Sequence, residues 1–174
     1  TVARILRARD RDETVLIYGD YDVDGIMSTV ILKRALEMIG VKVNFYLPRR
    51  LEEGYGLKQE VIQEAHARGV SLVITTDSGI RAFDVCDAAR ALGLDLVVTD
   101  HHLPDETLPE AYAIVNPRQP ACRYPDPNLA AVGVIFKLVQ AIFRQIGREK
   151  VVHHFLKLVA IGTIADLVPL VGEN

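Results

Sequence analysis

The sequence predicts an α/β fold: a Rossmann-like sheet of five parallel strands flanked by helices, followed by a C-terminal helical segment. Three observations lead there. Short apolar runs recur with helix-length segments between them, the alternation that builds parallel βαβ units. Helical segments end on glycines such as Gly40 and Gly69, the residue that best tolerates the left-handed turn after a helix. Acidic residues stand directly after several apolar runs, where open α/β sheets bind their ligands.

The elements follow in order. The chain opens in a charged, helix-like stretch, "TVARILRARD". "TVLIY" (14–18) reads as a buried strand. "GIMSTVILKRALEMIG" (25–40) reads as a helix with Ile31, Ala35, Leu36 and Ile39 on one face. "VKVNFYL" follows as an alternating strand, and "GLKQEVIQEAHARG" as a helix. "SLVITTD", "IRAFDVCDAARALG", "LDLVVTD" and "AYAIVNP" read as strand, helix, strand and strand. "NPRQPACRYPDPN" (116–128) is a proline-rich surface connection. From "NLAAVGVIFKLVQAIFRQIG" to "VVHHFLKLVAIGTIADLVPL" the pattern is helical.

Composition narrows the class. The 174 residues fit one domain, and 49% hydrophobic residues indicate a globular chain. No apolar run approaches the ~18–20 residues of a membrane span, and no signal-peptide core follows the opening charges. The expectation is an intracellular, cytoplasmic protein without membrane association. A net charge of −3 argues against a surface that is basic throughout, while leaving room for local basic patches. Cys86 and Cys122 have no metal-ligand spacing and are read as reduced thiols. The chain begins inside a charged stretch and stops at "LVPLVGEN" without a polar tail, so it is expected to be a domain of something longer.

The acids carry the chemistry. Asp20, Asp22 and Asp24 follow the first strand, Asp77 ends the third, and Asp100, His101 and His102 end the fourth; Asp166 lies at a helix end and could fold back to the same rim. So many carboxylates repel one another and raise each other's pKa unless cations sit among them. Oxygen-rich sites suit Mg(II) or Mn(II), and an imidazole tilts the choice toward Mn(II). Two ions about 3.5–4 Å apart, sharing one carboxylate, would activate a water and clamp a phosphoryl group for in-line attack. His153 and His154 sit in a helical pattern away from any strand end and are read as surface or packing residues, and His66 as a solvated helix residue.

"GDYDVDG", "TTDSGI", "TDHH" and "GTIADLVPL" together resemble the four motifs of the DHH phosphoesterase superfamily. "LPRRLEEGYGL" and "NPRQPACRYPDPNLAAVGVIFKLV" resemble its RecJ-type branch of single-strand-specific exonucleases. The resemblance runs from about residue 14 to the end of the chain. It implies stepwise 5′ to 3′ hydrolysis of single-stranded DNA to mononucleotides, with Mn(II) or Mg(II), in recombination and repair. Carried over by motif, it makes Asp22, Asp24, Asp77, His101 and Asp166 metal ligands, with Asp20 an extra ligand or supporting group and Asp24 or Asp77 the shared carboxylate. It places the catalytic work on His102 beside the scissile phosphate, with His101 and with Asp100 orienting the histidines. Arg49, Arg50 and Arg118 are candidates for phosphate contacts. Single-stranded DNA is the partner implied, with repair or replication proteins as further candidates; the oligomeric state is left open.

Two positions depart from the superfamily's pattern. Tyr18 stands where its pyrophosphatases and small-oligonucleotide phosphodiesterases carry histidine, which argues against those substrates. Ala131 stands where a glycine is expected, which puts close backbone approach in that loop in question. The resemblance also implies a DHH-associated domain and an OB-like domain beyond Asn174. Two rival readings remain: a haloacid-dehalogenase-like phosphatase with Asp22 as nucleophile and Asp24 as acid, and an inactive scaffold that keeps the fold.

Overall fold

The structure is a computed structural model that describes residues 1–49, 54 and 56–174. Helix α1 (Val2–Asp10) leads into β1 (Thr14–Tyr18), α2 (Val23–Met38) and β2 (Lys42–Tyr46). Then come α3 (Gln59–Ala67), β3 (Val70–Thr75), α4 (Phe83–Ala91), β4 (Asp95–Thr99) and β5 (Ala113–Val115). The chain continues with α5 (Ala131–Gln145), a 3-10 turn (Glu149–Phe155) and α6 (Leu156–Ala165). The expected fold class is the observed one.

All strand pairs are parallel, in the order β2-β1-β3-β4-β5. Strand order therefore reverses at β1: its sequence neighbour β2 lies on one side and β3 on the other. The loops after β1 and β3 leave in opposite directions around a crevice, the place where such sheets collect ligands.

Alternation along each strand divides the core in two. Val15, Ile17, Leu72, Ile74 and Val97 face α1, α2 and α5; Leu16, Tyr18, Val73, Leu96 and Val98 face α3 and α4. Burial of both faces explains why β1, β3 and β4 read as unbroken apolar runs. Strand β2 differs because it is an edge: Lys42, Asn44 and Phe45 are exposed. Helix α1 is fastened from below, where the buried Arg4 donates to Asp95 and to Ser71 O (3.1 Å).

Two of the differences from the expected boundaries concern α2 and the C-terminal helices. Helix α2 begins at Val23, not Gly25, because Asp22 is its N-cap and accepts the Gly25 N–H at 2.8 Å. The last helical stretch breaks into the 3-10 turn and α6. His153 and His154 fall in that turn and are exposed, as is His66 in α3. Among the described residues no helix is long and apolar enough to cross a membrane.

Candidate metal centre

The loop after β1 supplies three carboxylates in three different settings. Asp20 is buried and accepts the Tyr21 N–H (2.8 Å). Asp22 is exposed as the cap of α2. Asp24 lies in the first turn of α2, 1% exposed, and points across to α5: its Oδ2 accepts the Ala131 N–H (2.7 Å) and its Oδ1 the Val132 N–H (2.8 Å). Helix α5 has no capping side chain of its own at Ala130, so Asp24, from 107 residues earlier, satisfies its first amides. This answers the question raised at Ala131. Close backbone approach occurs there with alanine, because the residue is helical and needs no glycine-only conformation.

The "TTDSG" turn after β3 is held by its hydroxyls. Thr75 Oγ1 donates to Ser78 O (2.6 Å), and the Thr99 hydroxyl donates to Thr75 O. Thr76 Oγ1 and Thr29 Oγ1 are 2.9 Å apart. These bonds hold Asp77 at φ 61°, a left-handed conformation that Asp and Asn tolerate better than most residues. The Asp77 side chain is 1% exposed, and its Oδ1 has no hydrogen-bond partner among the described residues.

Asp100, after β4, is a distribution point. Its Oδ1 accepts the His101 N–H (2.7 Å) and the His102 N–H (3.1 Å) and lies 2.7 Å from His102 Nδ1; its Oδ2 accepts the Ile80 N–H (2.9 Å). It therefore orients the His102 ring. The His101 ring is not held by Asp100, which corrects the expectation that Asp100 orients both imidazoles. His101 is 6% exposed; its Nε2 lies 3.2 Å from Asp77 Oδ1 and 3.7 Å from Asp166 Oδ2, and among the described residues neither ring nitrogen has a hydrogen-bond partner.

Asp166 arrives at the C-terminal end of α6. That helix crosses close to α2 and α5 at Gly162, where a Cβ would stand 2.8 Å from Val132 Cγ1 and 3.0 Å from Asp24 Oδ1. One turn beyond this point the chain places Asp166 against His101.

The result is three interlocking sets, each able to offer ligand atoms within 4.8 Å of one another: Asp20, Asp22 and Asp77; Asp77, His101 and His102; Asp24, His101 and Asp166. Asp77 and His101 join the sets. Both Asp24 oxygens are already engaged by backbone amides, whereas Asp77 Oδ1 is unpartnered, so the geometry singles out Asp77 of the two carboxylates considered for sharing. The donor set fits a hard divalent cation: buried carboxylates, a buried imidazole, and orphaned acceptor atoms aimed at one space.

The electrostatics show the same need. Burial, reinforced by the charges of Asp24, Asp22 and Asp100, pushes the Asp77 carboxyl up to about 10. Burial also lifts Asp24 to about 6 against the pull of the Val132 and Ala131 amides, and raises Asp20. For Asp100, burial is outweighed by the hydrogen bond and charge of His102 and by the Ile80 and His102 amides, and its pKa is lowered. The same hydrogen bond raises His102 despite its partial burial. Without a cation, burial and mutual repulsion disfavour the ionised forms of Asp77, Asp24 and Asp20.

A cavity of about 830 Å³ adjoins the histidines, lined among others by Leu57, Lys58, Ile80, Phe83, His102 and Arg118. Among the described residues neither Lys58 nor Arg118 has a carboxylate partner; Arg118 Nε donates to Pro127 O (3.1 Å). Arg49 is exposed after β2, and Arg50 lies outside the described residues. Tyr18 is fully buried, stacks edge-on against Tyr46, and its hydroxyl accepts the Lys58 N–H (3.0 Å). At this position the side chain supports the cavity wall.

The family profile described as "DHH family, N-terminal domain" matches residues 14–163. The chain belongs to the DHH family. Among curated relatives, this DHH domain is 47% identical over 171 residues to the single-stranded-DNA-specific exonuclease RecJ of Bacillus subtilis, covering 98% of this chain and 21% of that protein. It is 41% identical over 172 residues to the Escherichia coli protein of the same name, covering 92% and 30%. A crystal structure of exonuclease RecJ bound to manganese superimposes with a TM-score of 0.89 at 34% identity, over 98% of this chain and 43% of that one. The chain thus spans between a fifth and a third of the length of these curated relatives.

Several contributors to the site carry no sequence signal of their own. Asn116 donates from Nδ2 to His102 O (2.9 Å) and accepts the Arg118 N–H at Oδ1 (2.7 Å), tying the proline-rich connection to the rim that bears the histidines. The Ala131 and Val132 amides and Gly162 are equally silent. The paired threonines before Asp77 were visible as residues, but only the fold supplies the partner.

Proposed function

We propose that this DHH domain is the catalytic part of a Mn(II)- or Mg(II)-dependent exonuclease that digests single-stranded DNA from its 5′ end to mononucleotides, in recombination and repair within the cytoplasm. The observation that carries this reading is a pair of adjacent ligand groups, Asp20, Asp22 and Asp77 on one side and Asp24, His101 and Asp166 on the other, which meet where Asp77 Oδ1 lies 3.2 Å from His101 Nε2. Bound there, the ions would lower the pKa of a water and neutralise charge on the phosphate under attack. The similarity to RecJ proteins, one of them bound to manganese, supports both the metal and the substrate.

The chain's own residues divide the remaining work. His102, half-exposed and held through Nδ1 by Asp100, lines the cavity and favours the protonated form, suited to a phosphate oxygen. Lys58 and Arg118, which have no carboxylate partner among the described residues, offer cations to neighbouring phosphates; Arg49 and Arg50 are further candidates by sequence alone. The cavity has the size of sites that take a nucleotide-sized group. We place the DHH-associated and OB-like domains in the larger protein, in keeping with relatives several times longer than this chain. Much of the strand affinity would come from basic grooves there, consistent with the mildly acidic charge here.

The test is release of mononucleotides from 5′- and 3′-labelled single strands, with Mn(II) or with EDTA, by the protein and its Asp77→Ala variant. The reading expects label from the 5′ end to appear first, only with metal, and not with the variant. Near-normal digestion by the variant refutes it. A covalent phosphoenzyme with one metal equivalent would instead favour the phosphatase alternative.

A further inference from the structure

We infer that Thr29 and Thr76 form a hydroxyl clamp that sets the spacing between the two ligand groups, and so are positioning residues for the metal pair. The inference rests on the two-ion reading above. The two hydroxyls are 2.9 Å apart, with Thr29 3% exposed and Thr76 fully buried. Thr76 directly precedes Asp77. Thr29 belongs to α2, five residues beyond Asp24 and on the helix that Asp22 caps. One bond therefore joins the segment that carries the shared carboxylate to the segment that carries ligands of both groups.

Two further observations place this bond under the site. The Thr76 N–H donates to Tyr18 O (2.9 Å), so the residue is fastened to the end of β1 by its backbone and to α2 by its side chain. Gly19, which leads into Asp20, lies directly on the clamp: a Cβ there would overlap Thr29 Oγ1 and stand 3.3 Å from Thr76 Oγ1. The loop bearing Asp20 and Asp22 thus rests on the hydroxyl pair. Two valines would fill the same volume without burying polar groups. What the threonines add is a directional contact between two elements whose separation fixes where the ligands stand. Loss of contacts that orient metal ligands typically costs about 10–100-fold in metal affinity.

The test compares the protein with a Thr29→Val/Thr76→Val variant and a Thr29→Ser variant by Mn(II) titration calorimetry, electron paramagnetic resonance of the loaded site, and thermal melting in EDTA. Exchanging both hydroxyls for methyl groups of similar shape should leave melting in EDTA nearly unchanged. The second Mn(II) should bind about tenfold or more weakly, and the exchange-coupled signal of the pair should diminish. Thr29→Ser, which keeps the hydroxyl, should retain both even if it melts lower. The clamp is overturned if the double variant binds two Mn(II) with unchanged affinity and coupling. It is also overturned if Thr29→Ser loses affinity as the double variant does, or if lost affinity only follows lost stability in EDTA. Fewer than two equivalents on the unsubstituted protein would overturn the two-ion reading itself, a distinct result.

Discussion

Replacing Asp77 by Asn should make the metal-free protein more stable while removing its response to metal. Asp77 is 1% exposed, among Asp22, Asp24 and Asp100, and its carboxyl is raised from 3.8 to about 10. A folded-state pKa above the unfolded one means that the folded chain holds a proton the unfolded chain releases. Stability in EDTA therefore falls as pH rises from about 4 toward 10. At about pH 7.5 the accumulated cost has an upper bound on the order of 5 kcal/mol, about 1.4 kcal/mol per pH unit above the unfolded value. Asn removes this titration and keeps the left-handed backbone at φ 61°, a conformation it tolerates well. It still buries an amide with few partners, at roughly 1–3 kcal/mol. The net gain should be about 2 kcal/mol or more, roughly 4–8 °C in melting temperature for a chain of this size. The assay is thermal unfolding in EDTA and in saturating Mn(II), from pH 5 to 9. Unsubstituted protein should melt lower as pH rises in EDTA and recover with Mn(II), by about 2.7 kcal/mol at a hundredfold excess over Kd. Asp77→Asn should show a flatter pH profile and lose most of the Mn(II) increment. A variant that melts lower than the parent in EDTA and gains as much from Mn(II) would refute the reasoning.

Other substitutions separate the parts of the site. His102→Ala should reduce turnover by about 10²-fold or more while Mn(II) occupancy, measured by calorimetry, stays close to that of the parent; equal loss of both would make His102 a ligand. Gly162→Ala drives a methyl group against Val132 and the Asp24 carboxylate, and should cost about 1–3 kcal/mol in denaturant unfolding and weaken Mn(II) binding as well. Unchanged metal affinity there would separate α6 from the site. Arg4→Ala leaves Asp95 without its buried partner and should cost about 2–4 kcal/mol with no change in Mn(II) affinity, since Arg4 docks α1 at the far end of the sheet.

The sequence makes the sheet legible because β1, β3 and β4 are buried on both faces and show as unbroken apolar runs between glycine-ended helices. The same regularity gave the rim: Asp77 and the "DHH" of Asp100, His101 and His102 are legible because they interrupt apolar strands at their ends. Local signals failed where a distant element intervenes. Asp24 looks like a first-turn helix acid, and nothing near it in sequence tells that it satisfies the amides of α5. Helix α2 starts two residues early because the side chain of Asp22 outcompetes Gly25 as the starting signal. Asp166 could be assigned to the rim only through its motif, since the close crossing at Gly162 that brings it there has no periodicity to read. Arg118 was singled out from its loop, while Lys58, on the same cavity, was hidden in an ordinary amphipathic helix start.

Anomalous diffraction from crystals of this protein grown with Mn(II) tests the central claim most directly. The account predicts two manganese peaks, one against Asp20, Asp22 and Asp77 and one against Asp24, His101 and Asp166, with the Asp77 carboxylate reaching both. A single peak remote from Asp77, or none at full calorimetric saturation, would contradict it.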